Sequence, residues 1–256
     1  MIKYFIEQAL SRLGYQVVRT RPVAPQSAER FEKLEYLDGF LEGQLAAGRP
    51  ICILQCGAND GVTVDPVRAF ILRHPDKVKA VLAEPLPDVF DALVANYADH
   101  VNVTTLNVAV GPDRQIILYR IKPEYISKYN GIIATGVTSF DRNYVLNKAA
   151  GKLDVRSVPP EDRIEHFMQK CLTVSQIIDA YPAQLGAEPF LQIDAEGFDD
   201  QIIYTIDFMR HRPIAINYEV RHLSEEKRGA LRDYLSTSGY YFIKWKRTDE
   251  LAVRIL

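Results

Sequence analysis

Two short clusters in this chain, Asp194-Ala195-Glu196-Gly197-Phe198 and Tyr218-Glu219-Val220-Arg221-His222, carry side chains able to take a proton or hold a cation. Each follows an apolar run, Phe190 to Ile193 and Ile214 to Tyr218, that reads as a buried strand. Asp194 and Glu196 alternate along an extended segment and can face one cleft. Asp194, Glu196 or Glu219 could then serve as a general base, with His222 as the alternative base. The three carboxylates together could instead hold Mg²⁺, which takes oxygen ligands. The plain alternatives are solvated strand-end acids and a structural histidine.

A second constellation lies upstream. Ile51 to Cys56 is a strand buried on both faces, and it runs into the turn Gly57-Ala58-Asn59-Asp60-Gly61. Its two glycines allow the backbone to pass close to a ligand, and Asp65-Pro66 caps the helix that follows. Strand, glycine turn and helix start together make a nucleotide-type site. The turn lacks the middle glycine of the dinucleotide fingerprint, and no phosphate loop is present. A ligand without phosphates, built from an adenosine ribose and an amino acid, suits it better. Asn59 or Asp60 can hold the ammonium of such a ligand. Glu84 ends the next strand at the place where Rossmann-like folds put the acid that accepts two ribose hydroxyls.

The elements that must position these residues alternate. A helix over Phe31, Leu34, Leu37, Leu41 and Leu45 precedes the first strand, and a helix with Val67, Phe70 and Ile71 follows it. Strand two is Ala80 to Ala83, its helix runs from Val89 to Tyr97, and strand three is Val101 to Val110. Strands four and five carry the acid clusters. A helix showing Ile202, Ile203, Ile206 and Met209 lies between them, and one from Ser224 stops at Gly239. Tyr240 to Trp245 and Leu251 to Leu256 read as an antiparallel hairpin. This βα alternation predicts a Rossmann-like α/β sheet with helices on both faces and ligands beyond the carboxyl ends of the strands. Residues 1–50 form a helical extension ahead of a domain over 51–256. The segment Ile116 to Lys170 interrupts the alternation. It is too long for an ordinary connection and too apolar for a linker, and it carries Tyr119, Tyr125, Tyr129, Phe140 and Tyr144. We read it as a substrate-facing lid or a dimer contact. Thr173-x-x-Gln176 is a capping box that restarts helix after it.

Composition narrows the function classes. With 256 residues, 47% of them hydrophobic, the chain is long enough for one large α/β domain. A formal charge of -2 gives no basic excess for nucleic acid. The three cysteines, Cys52, Cys56 and Cys171, lack zinc-site spacing and fit buried thiols of a reducing cytoplasm. No apolar run approaches the roughly 20 residues of a membrane span. Ile2 to Leu13 has the spacing of an amphipathic helix with Arg12, Arg19 and Arg21 around its end. That pattern fits packing on the domain, a second subunit in a homo-oligomer, or peripheral contact with a membrane surface.

Taken in order, Gly57-Ala58-Asn59-Asp60-Gly61, Glu84-Pro85, Asn107-Val108-Ala109-Val110-Gly111, Asp194-Ala195-Glu196-Gly197-Phe198 and Tyr218-Glu219 resemble the FkbM-type methyltransferases over about Ile51 to Phe242. The resemblance implies a class I methyltransferase fold and S-adenosylmethionine-dependent O-methylation of sugars, glycans, glycolipids or polyketide hydroxyls. It also implies that Asn59 and Gly61 line the methionine end, that Glu84 holds the ribose, and that Asn107 and Val108 lie near the adenine, with Asp194 beside the cofactor. Two positions depart from the family pattern. Gln55 stands where an acid is usual, so it can hydrogen-bond but cannot pair as an ion with an ammonium. Gln192 stands where a lysine is frequent. Those two glutamines also fit a scaffold that has kept the fold and lost turnover. An NAD-dependent oxidoreductase is the remaining alternative and lacks its glycine fingerprint.

Overall fold

The computed structural model describes residues 28–126, 137–150, 158–244 and 248–255. The expected helix over Ile2 to Leu13 lies outside them, as do Tyr129, Gly131 and Gly151 of the interrupting segment. The chain divides into Met1–Pro50 and Ile51–Leu256. In the first unit the helix Ala28–Ala46 buries Leu37, Leu41 and Gln44, and Arg49 donates to Gln44 at 3.1 Å.

In the second unit, seven of the described strands form one sheet, in the order β10-β11-β9-β8-β1-β2-β3. These are β1 (Ile51–Cys56), β2 (Val78–Ala83), β3 (Val103–Leu106), β8 (Phe190–Ile193), β9 (Ala215–Glu219), β10 (Tyr240–Lys244) and β11 (Asp249–Arg254). From β3 to β9 the neighbours pair in parallel, whereas β11 is antiparallel to both β9 and β10. The expected hairpin is therefore present, and its second strand starts earlier than the apolar pattern indicates, at Asp249. From β1 the chain moves outward in one direction to β2 and β3, and from β8 in the other to β9. Right-handed crossovers therefore place the helices Arg68–Arg73 and Pro87–Asn96 on one face and Asp199–Ile203 on the opposite one. This is the class I methyltransferase arrangement, with its switch point between β1 and β8.

Local sequence explains these elements. Leu54, Cys56, Leu191, Ile193, Ile216 and Tyr218 alternate onto one sheet face and pack with Ile177, Ile202, Leu231 and Leu235 in one core. The Thr173–Gln176 capping box is formed in both directions, and Ser224 caps Glu225–Thr237. Asp65 Oδ1 accepts from the N–H groups of Val67 and Arg68 at 2.8 Å each, one turn ahead of the helix Arg68–Arg73, whose own N-cap position is Val67 and carries no side-chain cap.

Three expectations change. Strand three is not continuous to Val110: β3 ends at Leu106, Asn107-Val108 breaks the run, and β4 (Ala109–Val110) joins a different sheet. The helix after β8 is only Asp199–Ile203, and Met209 lies beyond it, exposed. The interrupting segment builds a second sheet, in the order β4-β7-β5-β6, from β5 (Gln115–Ile121), β6 (Thr138–Ser139) and β7 (Ile164–Leu172). Its helix Arg142–Ala150 buries Val145 and Ala149 against Ile121, Val137 and Ile164. Among the described residues, no helix is long and apolar enough to cross a membrane.

Candidate active site

The glycine turn begins where β1 ends. Gly57 has φ +81°, and a Cβ placed on it would lie 2.1 Å from the Asp194 carbonyl oxygen. Only glycine fits there, because the ends of β1 and β8 touch backbone to backbone. Asp194 N–H also donates to the Cys56 carbonyl at 3.0 Å. The turn and the first acid cluster are thus one structure.

Glu84 stands at the end of β2 as expected. Its Oε2 accepts from Asn59 N–H and its Oε1 from Leu86 N–H, each at 2.9 Å. Those bonds aim the carboxylate at the turn and leave each oxygen a further lone pair for a ligand hydroxyl. Burial pushes its acid up to about 7, against those two hydrogen bonds. A strand-end acid with acceptor capacity left over, next to a turn that admits no Cβ, fits an adenosine ribose. Asn107 supports this wall from behind, donating from Nδ2 to the carbonyls of Glu84 (2.9 Å) and Pro85 (3.2 Å). Val108 packs against the main core, and Gln169 of β7 donates to the Asn107 carbonyl at 3.3 Å.

Asp60 has another task than the one expected. Its carboxylate accepts from Val62 N–H, Thr63 N–H and the Thr63 hydroxyl, so it ties the turn together rather than reaching for an ammonium. Gln55 is 2% exposed, and its Oε1 has no protein partner. It faces Gln192 across the strands, and Gln192 Oε1 accepts from Asn217 Nδ2 at 2.8 Å. These three amides form a buried row across the sheet. Gln192 thus commits its carbonyl oxygen to Asn217 within the sheet.

Beyond β8 the chain makes a strained turn. Glu196 has φ +48° and Gly197 φ +98°, and a Cβ on Gly197 would lie 3.1 Å from the Cβ of His222. A left-handed non-glycine residue is held only by its surroundings. Here Tyr144 Oη donates to Glu196 Oε2 at 2.5 Å, and Ser139 Oγ to the Glu196 carbonyl at 3.3 Å. His222 Nε2 lies 3.4 Å from that same Oε2 and 3.4 Å from Glu219 Oε2. The Tyr144 ring stands edge-on to His222 at 5.0 Å, and Phe140 stacks on Phe198 at 3.7 Å. Asp199, fully buried, accepts from Glu219 N–H at 3.0 Å and Ala195 N–H at 3.4 Å, which clamps the two strand ends together.

Three of the expected residues, Glu196, Glu219 and His222, thus converge; Tyr144 and Phe140 of the segment read as substrate-facing join them, and the structure adds Ser139 and Asp199. Nothing local in the sequence marks Tyr144, which lies 52 positions from Glu196. Asp199 is legible only as one acid more after a D-x-E-G-F element.

The protonation states differ by position. The hydrogen bond to Glu196, and then the Glu219 charge, raise the His222 imidazole above its usual value against the effect of burial. Its cationic form is favoured between the two glutamates. Burial and the neighbouring Glu196 raise the Glu219 carboxyl, opposed by His222 and Arg221. Asp194 opens to the cleft at its surface yet is densely walled. That crowding, followed by the charges of Glu219, Asp199, Glu196 and Asp249, pushes it well above the carboxylate range. Burial and then the Glu196 carboxylate raise the Tyr144 phenol, which stays a donor.

Among the described residues, the group whose ligand atoms come within 4.8 Å of one another is Glu196, Glu219 and His222. Asp194 does not join it, which corrects the expected all-carboxylate set. One nitrogen ligand, and a Glu196 oxygen already facing two donors, suit Mg²⁺ poorly.

Comparison with curated proteins finds no match for this chain. Among solved structures it is similar to magnesium protoporphyrin IX methyltransferase from Synechocystis PCC 6803 with bound SAM, at 9% identity and TM-score 0.43 over 99% of this chain and 94% of that one. It is also similar to precorrin-6y C5,15-methyltransferase from Geobacter metallireducens GS-15, at 12% identity and TM-score 0.40 over 93% of each chain. Likenesses so distant decide nothing about the site. The family model described as the methyltransferase FkbM domain matches residues 55–242, a span that takes in the glycine turn, Glu84 and both acid clusters. On that match, the chain belongs to the FkbM methyltransferase family and contains a methyltransferase domain dependent on S-adenosylmethionine.

Proposed function

We propose that this protein methylates a hydroxyl of a sugar, glycan, glycolipid or related natural product. The observation that carries this reading is the convergence of Glu196, His222 and Glu219 beyond β8 and β9, next to the glycine turn that touches Asp194 and is held by Glu84. S-adenosylmethionine supplies a methyl on a sulfonium: the acceptor oxygen bonds to that carbon, and sulfur keeps the pair from the broken bond. Everything else falls to the protein.

Glu84 and the glycine turn bind and orient the donor, and Asp194, pressed against Gly57, borders that side. Glu196 takes the proton from the acceptor hydroxyl, and His222 between the two glutamates offsets their charge. In-line positioning supplies most of the acceleration, and no covalent enzyme intermediate is needed. Phe140, Phe198 and Tyr144 offer flat faces with a polar tip, suited to a sugar ring.

A methyl-donor assay against a panel of nucleotide sugars, glycans and phenols tests the reading. Methylated product with formation of S-adenosylhomocysteine supports it. Tight cofactor binding with no acceptor methylated would favour a scaffold. Full activity in chelator is expected, since a proton acceptor is present without a metal; loss in chelator with recovery on adding Mg²⁺ would instead place the ion at this site.

A further inference from the structure

Three buried oxygens at the glycine turn have no hydrogen-bond partner: Gln55 Oε1, Asp65 Oδ2 and Tyr97 Oη. Gln55 stands one before the end of β1 and is 2% exposed. Gly61, which closes the turn, packs on Tyr97, since a Cβ there would lie 2.6 Å from Tyr97 Cε2. Asp65 reaches both. Burial raises its carboxyl above the usual range, against the N–H groups of Val67 and Arg68 and the Gln55 amide. The Tyr97 phenol is raised by burial and then by the Asp65 charge.

The turn's own packing leaves these oxygens over. Asp65 Oδ1 is engaged with Val67 and Arg68, while Oδ2 is not. Arg68 is the cation of this group, yet its guanidinium lies 4.9 Å over the Tyr97 ring and donates to the carbonyls of Gly61 at 3.0 Å and Asn96 at 3.5 Å. Val64, just before Asp65, is β-branched and has φ +58°, a conformation kept only where the surroundings impose it. Asp60 has both carboxylate oxygens occupied by Val62 and Thr63. A buried acceptor without a donor marks a missing partner. Where one such acceptor belongs to a carboxylate, the fitting partner is positively charged and carries several hydrogens, as an ammonium does.

We propose that Asp65, acting through Gln55, supplies the negative charge that holds the α-ammonium of S-adenosylmethionine at the glycine turn. Asp65 is thus a positioning residue, and it provides from the following loop the charge that Gln55 lacks. The proposal rests on the cofactor of this domain and not on the hydroxyl acceptor proposed above.

The probes are S-adenosylhomocysteine and its desamino analogue, which keeps the adenosine, sulfur and carboxylate and lacks only the ammonium. Calorimetry on the full chain should show the wild type preferring S-adenosylhomocysteine by about tenfold or more. Asp65→Asn keeps an Oδ1 for Val67 and Arg68 and removes the charge. It should lose most of that preference, while affinity for the desamino analogue stays within about twofold. Adding Gln55→Glu to Asp65→Asn moves the charge from one residue to the other and should restore the preference to within about threefold. Where Asp65→Asn does not fold, Gln55→Leu carries the test, and it too should weaken S-adenosylhomocysteine alone. Equal losses for both ligands would make Asp65 a prop of the turn and overturn the proposal. So would an unchanged preference in a folded variant, which would leave the three oxygens to trapped water. A well-folded charge swap that restores nothing overturns it as well. Both ligands are read by binding, so an acceptor panel without product would sink the methylation reading and leave this result standing.

Discussion

At the scale of single residues, the proposed function assigns donor binding and proton transfer to different acids. Glu84 is the one proposed for the donor, and its raised acid, at about 7, makes that role depend on pH. Two ribose hydroxyls can donate to the carboxylate, whereas the protonated acid turns one oxygen into a donor and accepts more weakly at the other, so affinity for S-adenosylhomocysteine should rise as pH rises through 7 and then level. A single group of this kind gives about a tenfold gain between pH 6 and pH 8. Stability of the unliganded protein should move the opposite way. The folded value lies above the ordinary 4.5, so the unfolded chain loses this proton first, and Glu84's contribution is lost as pH rises from there through about 7. Calorimetry across this range checks both signs, and Glu84→Gln should bind more weakly with a flat profile. An affinity independent of pH in the wild type would remove Glu84 from the ribose. Glu196 is the acid proposed for proton transfer. Glu196→Gln keeps the shape and should lower kcat by about a hundredfold or more while cofactor affinity stays within about threefold. Equal losses in both would show that Glu196 belongs to the donor site.

At the scale of elements, the two halves of the site meet where β1 and β8 touch. Gly57→Ala puts a methyl group into the Asp194 carbonyl, backbone against backbone, at a left-handed φ. It should cost about 2 kcal/mol or more and weaken cofactor binding with it. Gly239→Ala, just past the helix Glu225–Thr237, is the control. Its φ is also positive, at +91°, but nothing lies within 4 Å of the added atom, so it should cost only about 1 kcal/mol and leave binding unchanged. Similar melting losses in the two variants would refute the close approach. The contrast also shows what can be read along a chain. The glycine turn, the Thr173 and Ser224 caps and the strand-end acids are local, because each is decided by a handful of consecutive residues. The break at Asn107-Val108 is not, since the apolar run continues through it and only the pairing of Ala109 and Val110 with Cys171 and Leu172 draws β4 away. Tyr144 was hidden for the same reason: its partner comes from a different sheet. Asp60 shows the reverse case, a residue correctly placed in the turn whose carboxylate is claimed by Val62 and Thr63.

At the scale of the whole catalytic unit, the second sheet decides whether acceptor and donor sites can be separated. As a sequence, Ile116 to Lys170 reads as a substrate-facing lid or a dimer contact. In the fold it has its own core, with Ile121, Val137, Val145, Ala149 and Ile164 buried, and β5 pairs with β7 over the full run from Gln115↔Lys170 to Ile121↔Ile164. It is also fastened to the donor side. Arg120 of β5 pairs with Asp88 and Glu165 at 2.5 Å each, and Gln169 of β7 holds the Asn107 carbonyl behind Glu84. Damage to this core should therefore reach the cofactor, which a lid resting on the surface would not transmit. Val145 is the place to test it, being fully buried and on the same helix as Tyr144. Val145→Asp buries an unpaired acid and should lower the melting temperature by about 5 °C or more. It should also weaken S-adenosylhomocysteine binding, whereas Tyr144→Phe, one position away, gives up one hydrogen bond to Glu196 and should lower melting by only about 2–4 °C with cofactor binding unchanged. If Val145→Asp lost acceptor methylation yet melted and bound cofactor like the wild type, the second sheet would be a detachable cover after all.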